Sequence, residues 1–124
     1  EGKKQWETAG DQYWIDVHLD ACRSFAPLCD ILKIQYPGSK EACEEVSILH
    51  ENWILLSRGV KFEEFSSYLT TARRAGCIGY AAGRAVWQEI TELPKEKWEE
   101  FLQTVSVPRL KELNTILGSS TLLA

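Results

Sequence analysis

Three short apolar runs, alternating with segments of helical period, constrain this chain more than any other feature. The middle run, Trp53-Ile54-Leu55-Leu56-Ser57, is apolar almost throughout. Strands with one wet face alternate apolar and polar residues, whereas a continuous apolar run suits a strand covered on both faces, the habit of parallel sheets. The first run occupies 28–36 and ends at Pro37-Gly38, a turn signal; the third occupies 77–82 and leads into Gly83-Arg84. Helical spacing marks 10–26 through Tyr13, Trp14, Val17, Ala21, Cys22 and Phe25, with Asp11 as N-cap and Pro27 as stop. It marks 39–50 through Ala42, Cys43, Val46 and Leu49 behind a Ser39 cap, and 61–75 before Gly76, where a left-handed C-cap is expected. Helices fill 84–117, with Pro94 at the first turn of the last one, Pro108 dividing it and the tail fraying from Gly118. The expected elements are helix 10–26, strand 28–36, helix 39–50, strand 53–57, helix 61–75, strand 77–82 and helices over 84–117. Such alternation implies right-handed βαβ crossovers and an α/β fold with about three parallel strands. Three strands leave two open edges and a half-covered face, so the pattern reads like the last part of a larger α/β architecture that pairs with other strands or with a second copy.

The 124 residues make one domain, and 44% apolar against 26% charged residues is a composition that folds. A net charge of −4 carries no nucleic-acid footprint. No apolar run approaches the ~20 residues that span a bilayer, and the opening Glu1-Gly2-Lys3-Lys4-Gln5-Trp6 is not a signal peptide, so no membrane partner and a cytoplasmic location are expected. The chain contains no methionine, which suggests a processed product or a piece of a longer protein. Cys22, Cys29, Cys43 and Cys77 have no CxxC spacing and no histidine pair beside them, so reduced, mostly buried thiols are expected and no metal site. His18 and His50 read as structural, the five tryptophans as core anchors, and the Lys95–Glu100 charges as a solvated helix face.

Two features could carry chemistry. Lys33 interrupts an apolar strand that should be buried on both faces, and burial lowers the pKa of a lysine. A neutral lysine is a nucleophile that forms a Schiff base with a carbonyl. The plain alternative is a lysine near a strand end that reaches water or pairs with Asp30 or a glutamate. The second feature is a pair of loops, Ser57-Arg58-Gly59 and Gly83-Arg84. Small residues let backbone N–H groups approach an anion, and Arg84 could grip a phosphate in bidentate fashion. In (β/α)₈ barrels the loops after strands 7 and 8 often build a phosphate site. Against this, both glycines could simply serve turns and Arg84 a solvated face.

Three blocks, Asp30 through Gly38, Trp53 through Val60 and Ala75 through Trp87, occur in the order and spacing that resemble the tagatose-1,6-bisphosphate aldolase family, which includes the sulfofructose-phosphate aldolases. The stretch from Phe101 to Asn114 is similar to the closing helix of that family, so the likeness runs from about Tyr13 to Leu117. The resemblance implies the C-terminal portion of a (β/α)₈ TIM barrel, its three strands being 6, 7 and 8. It implies a class I aldolase that needs no cofactor and no metal. Lys33 matches the Schiff-base lysine; Ser57, Gly59, Gly83 and Arg84 match positions that hold the phosphate of dihydroxyacetone phosphate. The implied reaction is retro-aldol cleavage of tagatose-1,6-bisphosphate or a close analogue. Arg58 stands where the family commonly has a small residue, and Cys77 where it usually has alanine. The first five βα units of the family have no counterpart here, so the isolated chain is expected to be weak or inactive. The alternative is a non-enzymatic aldolase remnant that binds a phosphate ligand or a partner.

Overall fold

A computed structural model describes residues 2–121, with side chains over 10–118. Its elements are α1 (Gly2–Phe25), β1 (Leu32–Ile34), α2 (Lys40–Leu49), β2 (Trp53–Leu56), α3 (Phe62–Arg74), β3 (Gly79–Ala81), α4 (Arg84–Trp87), α5 (Trp98–Phe101) and α6 (Val107–Thr121). The strands form one parallel sheet in the order β1-β2-β3, with Leu32 opposite Trp53 and Ile54 opposite Gly79. The expected α/β alternation and parallel pairing are therefore present. Among the described residues no helix is long and apolar enough to cross a membrane.

Alternation along the strands sorts their side chains onto two faces. Leu32, Ile34, Trp53 and Leu55 are at most 7% exposed and meet the helices. α2 covers them with Ala42, Cys43 and Val46, and α3 with Phe62, Phe65, Leu69 and Ala72, one stripe at helical spacing. α6 lies along α3 and buries Leu113 completely, while Tyr80 Oη donates to Asn114 Oδ1 (2.7 Å) and joins β3 to α6. The opposite face carries Lys33, Ile54, Leu56 and Gly79 and is only partly covered.

The element ends follow local rules. Ser39 accepts the Ala42 N–H (3.1 Å) and caps α2. Gly76, at φ 117°, ends the turn after α3 in the left-handed region that favours glycine. Ser47 Oγ accepts from Trp53 Nε1 (2.8 Å) and donates to Ala75 O, which clamps α2 to the start of β2 and the end of α3.

Several expectations need correction. The strand expected over 28–36 is only Leu32–Ile34, because Pro27 opens a 3₁₀ turn at Ala26–Leu28 and β2 offers partners to three residues alone. The strand expected over 77–82 is Gly79–Ala81 for the same reason of partner length. Helix α1 begins before residue 10, with a break at Gly10 (φ 83°, ψ 177°) directly before Asp11. Pro94 opens a 3₁₀ turn at Lys95–Lys97 rather than a long helix. Pro108 does not break the last helix: a π-helical turn at Leu102–Ser106 precedes it, and its wide spacing leaves the i→i−4 ladder that proline cannot join. α6 continues past Gly118 to Thr121, and 122–124 lie outside the described residues. Of the tryptophans, Trp53 is fully buried, but Trp87 and Trp98 are each 41% exposed, and the Trp6 side chain lies outside the described ones.

Candidate functional site

The loop after β2 makes a tight reversal, with Val60 N–H donating to Ser57 O (3.1 Å). Both central residues, Arg58 (φ 52°) and Gly59 (φ 76°), are left-handed, the pattern of a type I′ turn. Ser57 is 6% exposed, and its N–H donates to Ala81 O (3.2 Å), which ties the turn to the end of β3. Gly59 is required twice over, by its φ and by what lies above it. A Cβ there would stand 2.6 Å from Cζ of Arg84, so the guanidinium rests on the glycine. Gly83 precedes α4 with φ −122° and ψ −93°, and its carbonyl accepts from Val86 N–H (2.8 Å). Its missing Cβ would meet only Trp87 Nε1 at 4.0 Å, an ordinary contact. Four of the expected residues, Ser57, Gly59, Gly83 and Arg84, thus gather at the C-terminal ends of β2 and β3.

Lys33 does not lie between two covered faces. It is exposed, on the open face of edge strand β1, opposite Ile54 of β2. The charge takes the wet side while Leu32 and Ile34 take the core, as alternation demands. Two clefts run along this face. One of about 350 Å³ reaches Ser57 and Arg58 from Asp11 and Trp14 of α1. The other, of about 340 Å³, joins Lys33 to His18 and Arg58. They share Trp14, Gln35, Leu56 and Arg58, so a continuous trough leads from Lys33 to the Ser57 turn. Arg84 stands beside that turn, outside the trough lining.

Sequence reasoning missed three contributors. His18 is 8% exposed, lies edge-on to Trp14 (5.2 Å between rings), and its Nδ1 has no hydrogen-bond partner among the described residues. Burial first, and then the charge of Arg58, pushes its pKa below the usual histidine value and favours the neutral ring. Gln35 Oε1 accepts from Arg58 Nη1 (2.7 Å); Gln35 stands two residues from Lys33, and strand alternation, which puts both on one face, is the signal that could have drawn attention to it. Tyr36 stacks on Tyr68 (4.1 Å, 3° between planes) at the cleft wall. Burial raises the pKa of Tyr36, and the hydrogen bond to Glu64 pushes that of Tyr68 to about 12, so both stay protonated. His50 is structural as expected: Nε2 lies 2.9 Å from Cys29 O, and Nδ1 accepts from Asn52 N–H (3.0 Å). All four cysteines are free thiols, and Cys29 alone of them is not fully buried.

No protein-family model matches the chain. Among curated proteins it is similar to an uncharacterized aldolase of Saccharolobus solfataricus. The relationship is aldolase-like. The two are 40% identical over 62 residues, a stretch that covers 48% of this chain and 23% of the relative.

Proposed function

We propose that this chain is the C-terminal portion of a (β/α)₈ barrel of a class I aldolase acting on ketose phosphates. The proposed substrate is tagatose-1,6-bisphosphate or a close analogue. Lys33 is the Schiff-base nucleophile, and Ser57, Gly59, Gly83 and Arg84 hold the phosphate of the dihydroxyacetone phosphate half. One observation carries the reading: an arginine seated on a left-handed glycine at the C-terminal ends of parallel strands, in a turn that a trough connects to a lysine on the neighbouring strand. Ligands of parallel α/β folds bind at this end of the strands. The similarity to an aldolase supports the same class.

The chemistry follows from the amine. The Lys33 amine adds to the ketose carbonyl carbon, and loss of water with uptake of a proton leaves an iminium. The C3–C4 bond then breaks. Its electron pair moves into the iminium to form an enamine, while the C4 hydroxyl gives up its proton to solvent water and becomes the aldehyde. Protonation at C3 and hydrolysis of the iminium release dihydroxyacetone phosphate and restore the amine. Arg84 and the turn around Gly59 hold the phosphate, so the carbonyl stays within reach of Lys33. In this reading the open sheet face is barrel interior, completed by further strands or by another copy of the chain.

The test is borohydride trapping. The protein is incubated with dihydroxyacetone phosphate, reduced, digested and searched by mass spectrometry. An adduct on Lys33, lost in Lys33→Ala, is expected. Because Lys33 is exposed, that variant should unfold within about 0.5 kcal/mol of the parent. A sample folded by circular dichroism that yields no adduct would overturn the reading that Lys33 and the phosphate residues form a working site in this chain by itself. The exposure of Lys33 on an open face would then favour a second one, a non-enzymatic remnant that keeps the phosphate site as a ligand-binding module.

A further inference from the structure

Arg58 is the one non-glycine residue of positive φ among those described. A left-handed backbone crowds the Cβ of an ordinary residue against its own carbonyl, and such conformations gather at functional sites. The side chain does not merely trail into solvent. It turns toward β1, where Nη1 donates to Gln35 Oε1 (2.7 Å), two residues beyond Lys33 on the same face. Arg58 also lines both halves of the trough, beside Ser57 on one side and beside Lys33 on the other.

Arg84 occupies the other flank. It comes from the β3 side and covers Gly59, whereas Arg58 reaches to the β1 side. Two guanidinium groups thus bracket the C-terminal end of β2. Among the described residues neither forms an ion pair. A guanidinium has five donors, and the bond to Gln35 uses one. Asp11 is the one carboxylate lining the Ser57 end of the trough, against Arg58, and Lys33 and His18 line the rest. The trough is therefore cationic toward Lys33, whereas at the Ser57 end the Asp11 carboxylate offsets the charge of Arg58.

We propose that Arg58 is a specificity-determining residue that binds a second oxyanion of the ligand. This rests on the reading that the Ser57–Gly59–Arg84 flank holds the first phosphate. A ligand acidic at one end meets Arg84 alone. A ligand acidic at both ends spans the end of β2 and meets both guanidinium groups. Gln35 is a positioning residue, because it aims the Arg58 fork along the trough.

Two probes test this, butyl phosphate and butane-1,4-diol bisphosphate, titrated into the full chain by calorimetry. The parent should bind the bisphosphate about tenfold more tightly, the gain expected of one charge-assisted contact. Arg58→Gly suits the left-handed backbone and keeps the fold. It should hold butyl phosphate as the parent does and reduce the preference to the roughly twofold statistical factor of two equal ends. Gln35→Leu keeps the charge and should lose part of the preference, whereas Arg84→Gln should weaken both probes. Equal binding of the two probes by the parent, binding of neither, or a preference that survives Arg58→Gly would overturn the proposal. Butyl phosphate separates the two failures. If it binds through Arg84 without any preference, only the role of Arg58 falls; if it does not bind at all, the phosphate flank falls as well.

Discussion

At the residue scale, Gly59 shows how a site can depend on an atom that is absent. Alanine there meets two obstacles: φ 76°, and an Arg84 guanidinium 2.6 Å from the new Cβ. The two differ in kind. The backbone strain is intrinsic and costs about 1 kcal/mol. The overlap is with the far end of a flexible side chain, which can swing away at little cost. Gly59→Ala should therefore lower stability by about 1 kcal/mol in urea unfolding while weakening phosphate binding as much as Arg84→Gln does. Phosphate affinity that stays at the parent value would show that Arg84 does not bind from its perch on Gly59. Lys33 is the complementary case: its exposed side chain contributes little to the fold, so under the proposed function its effect is confined to chemistry.

At the element scale, the segment after β3 is held by one arginine. Arg109 of α6 forms a fork with Glu89, at 2.9 and 2.6 Å, donates to Ala85 O and Val86 O, and stands 5.2 Å over the Phe62 ring. It joins α6 to α3, to α4 and to the 3₁₀ turn at Gln88–Glu92, just behind Gly83 and Arg84. The hydrogen bond from Arg109 holds the Glu89 carboxyl at about 2, below its ordinary 4.5. A carboxyl depressed on folding adds stability that is present above the unfolded pKa and is lost as pH falls through the folded one. The Glu89 contribution should be intact above pH 5, mostly lost by pH 2 and gone only below it. Glu89 is 46% exposed, so solvent screening holds it to about 1 kcal/mol. Denaturant midpoints from pH 7 to pH 2 should fall less steeply for Arg109→Met than for the parent. Parallel pH profiles would mean that the pair adds nothing.

At the scale of the whole molecule, one core joins α1 to α6. Cys22 of α1, Cys43 of α2, Cys77 before β3 and Leu113 of α6 belong to the same buried cluster. Burial raises the thiol pKa at Cys22, Cys43 and Cys77, and carries Cys43 to about 12. Thiolates are the reactive form, so these three should resist a thiol reagent at pH 8, while half-buried Cys29 reacts first. If the core opens as a unit, the three slow cysteines should label at a common rate that rises together with denaturant, read by mass spectrometry of the peptides. Early labelling of Cys22 alone would mean that α1 detaches from the sheet by itself. That matters to the proposed function, because α1 supplies Trp14 and His18 to the wall of the trough.

The elements and their order were legible in the sequence because they follow from short-range rules: apolar period, the Ser39 cap, and Gly76 at a left-handed position. Strand alternation likewise separated Lys33 and Gln35 from Leu32 and Ile34. What lay beyond these rules depended on partners distant in the chain. β1 is three residues long because β2 pairs with no more of it, and Trp87 stays half-open while Trp53 is sealed, though both are tryptophan. Lys33 was expected in a doubly covered strand, but the cover of its face belongs to packing, and the face is open. His18 came to the trough only because α1 lies across β1, and Arg84 came to rest on Gly59 only because β3 lies beside β2. The sequence by itself determined an α/β alternation, a parallel sheet and the residues able to do chemistry. The tertiary structure decided which of them meet, because a contact between residues 25 apart in the chain depends on the register and packing of whole elements and not on local preference.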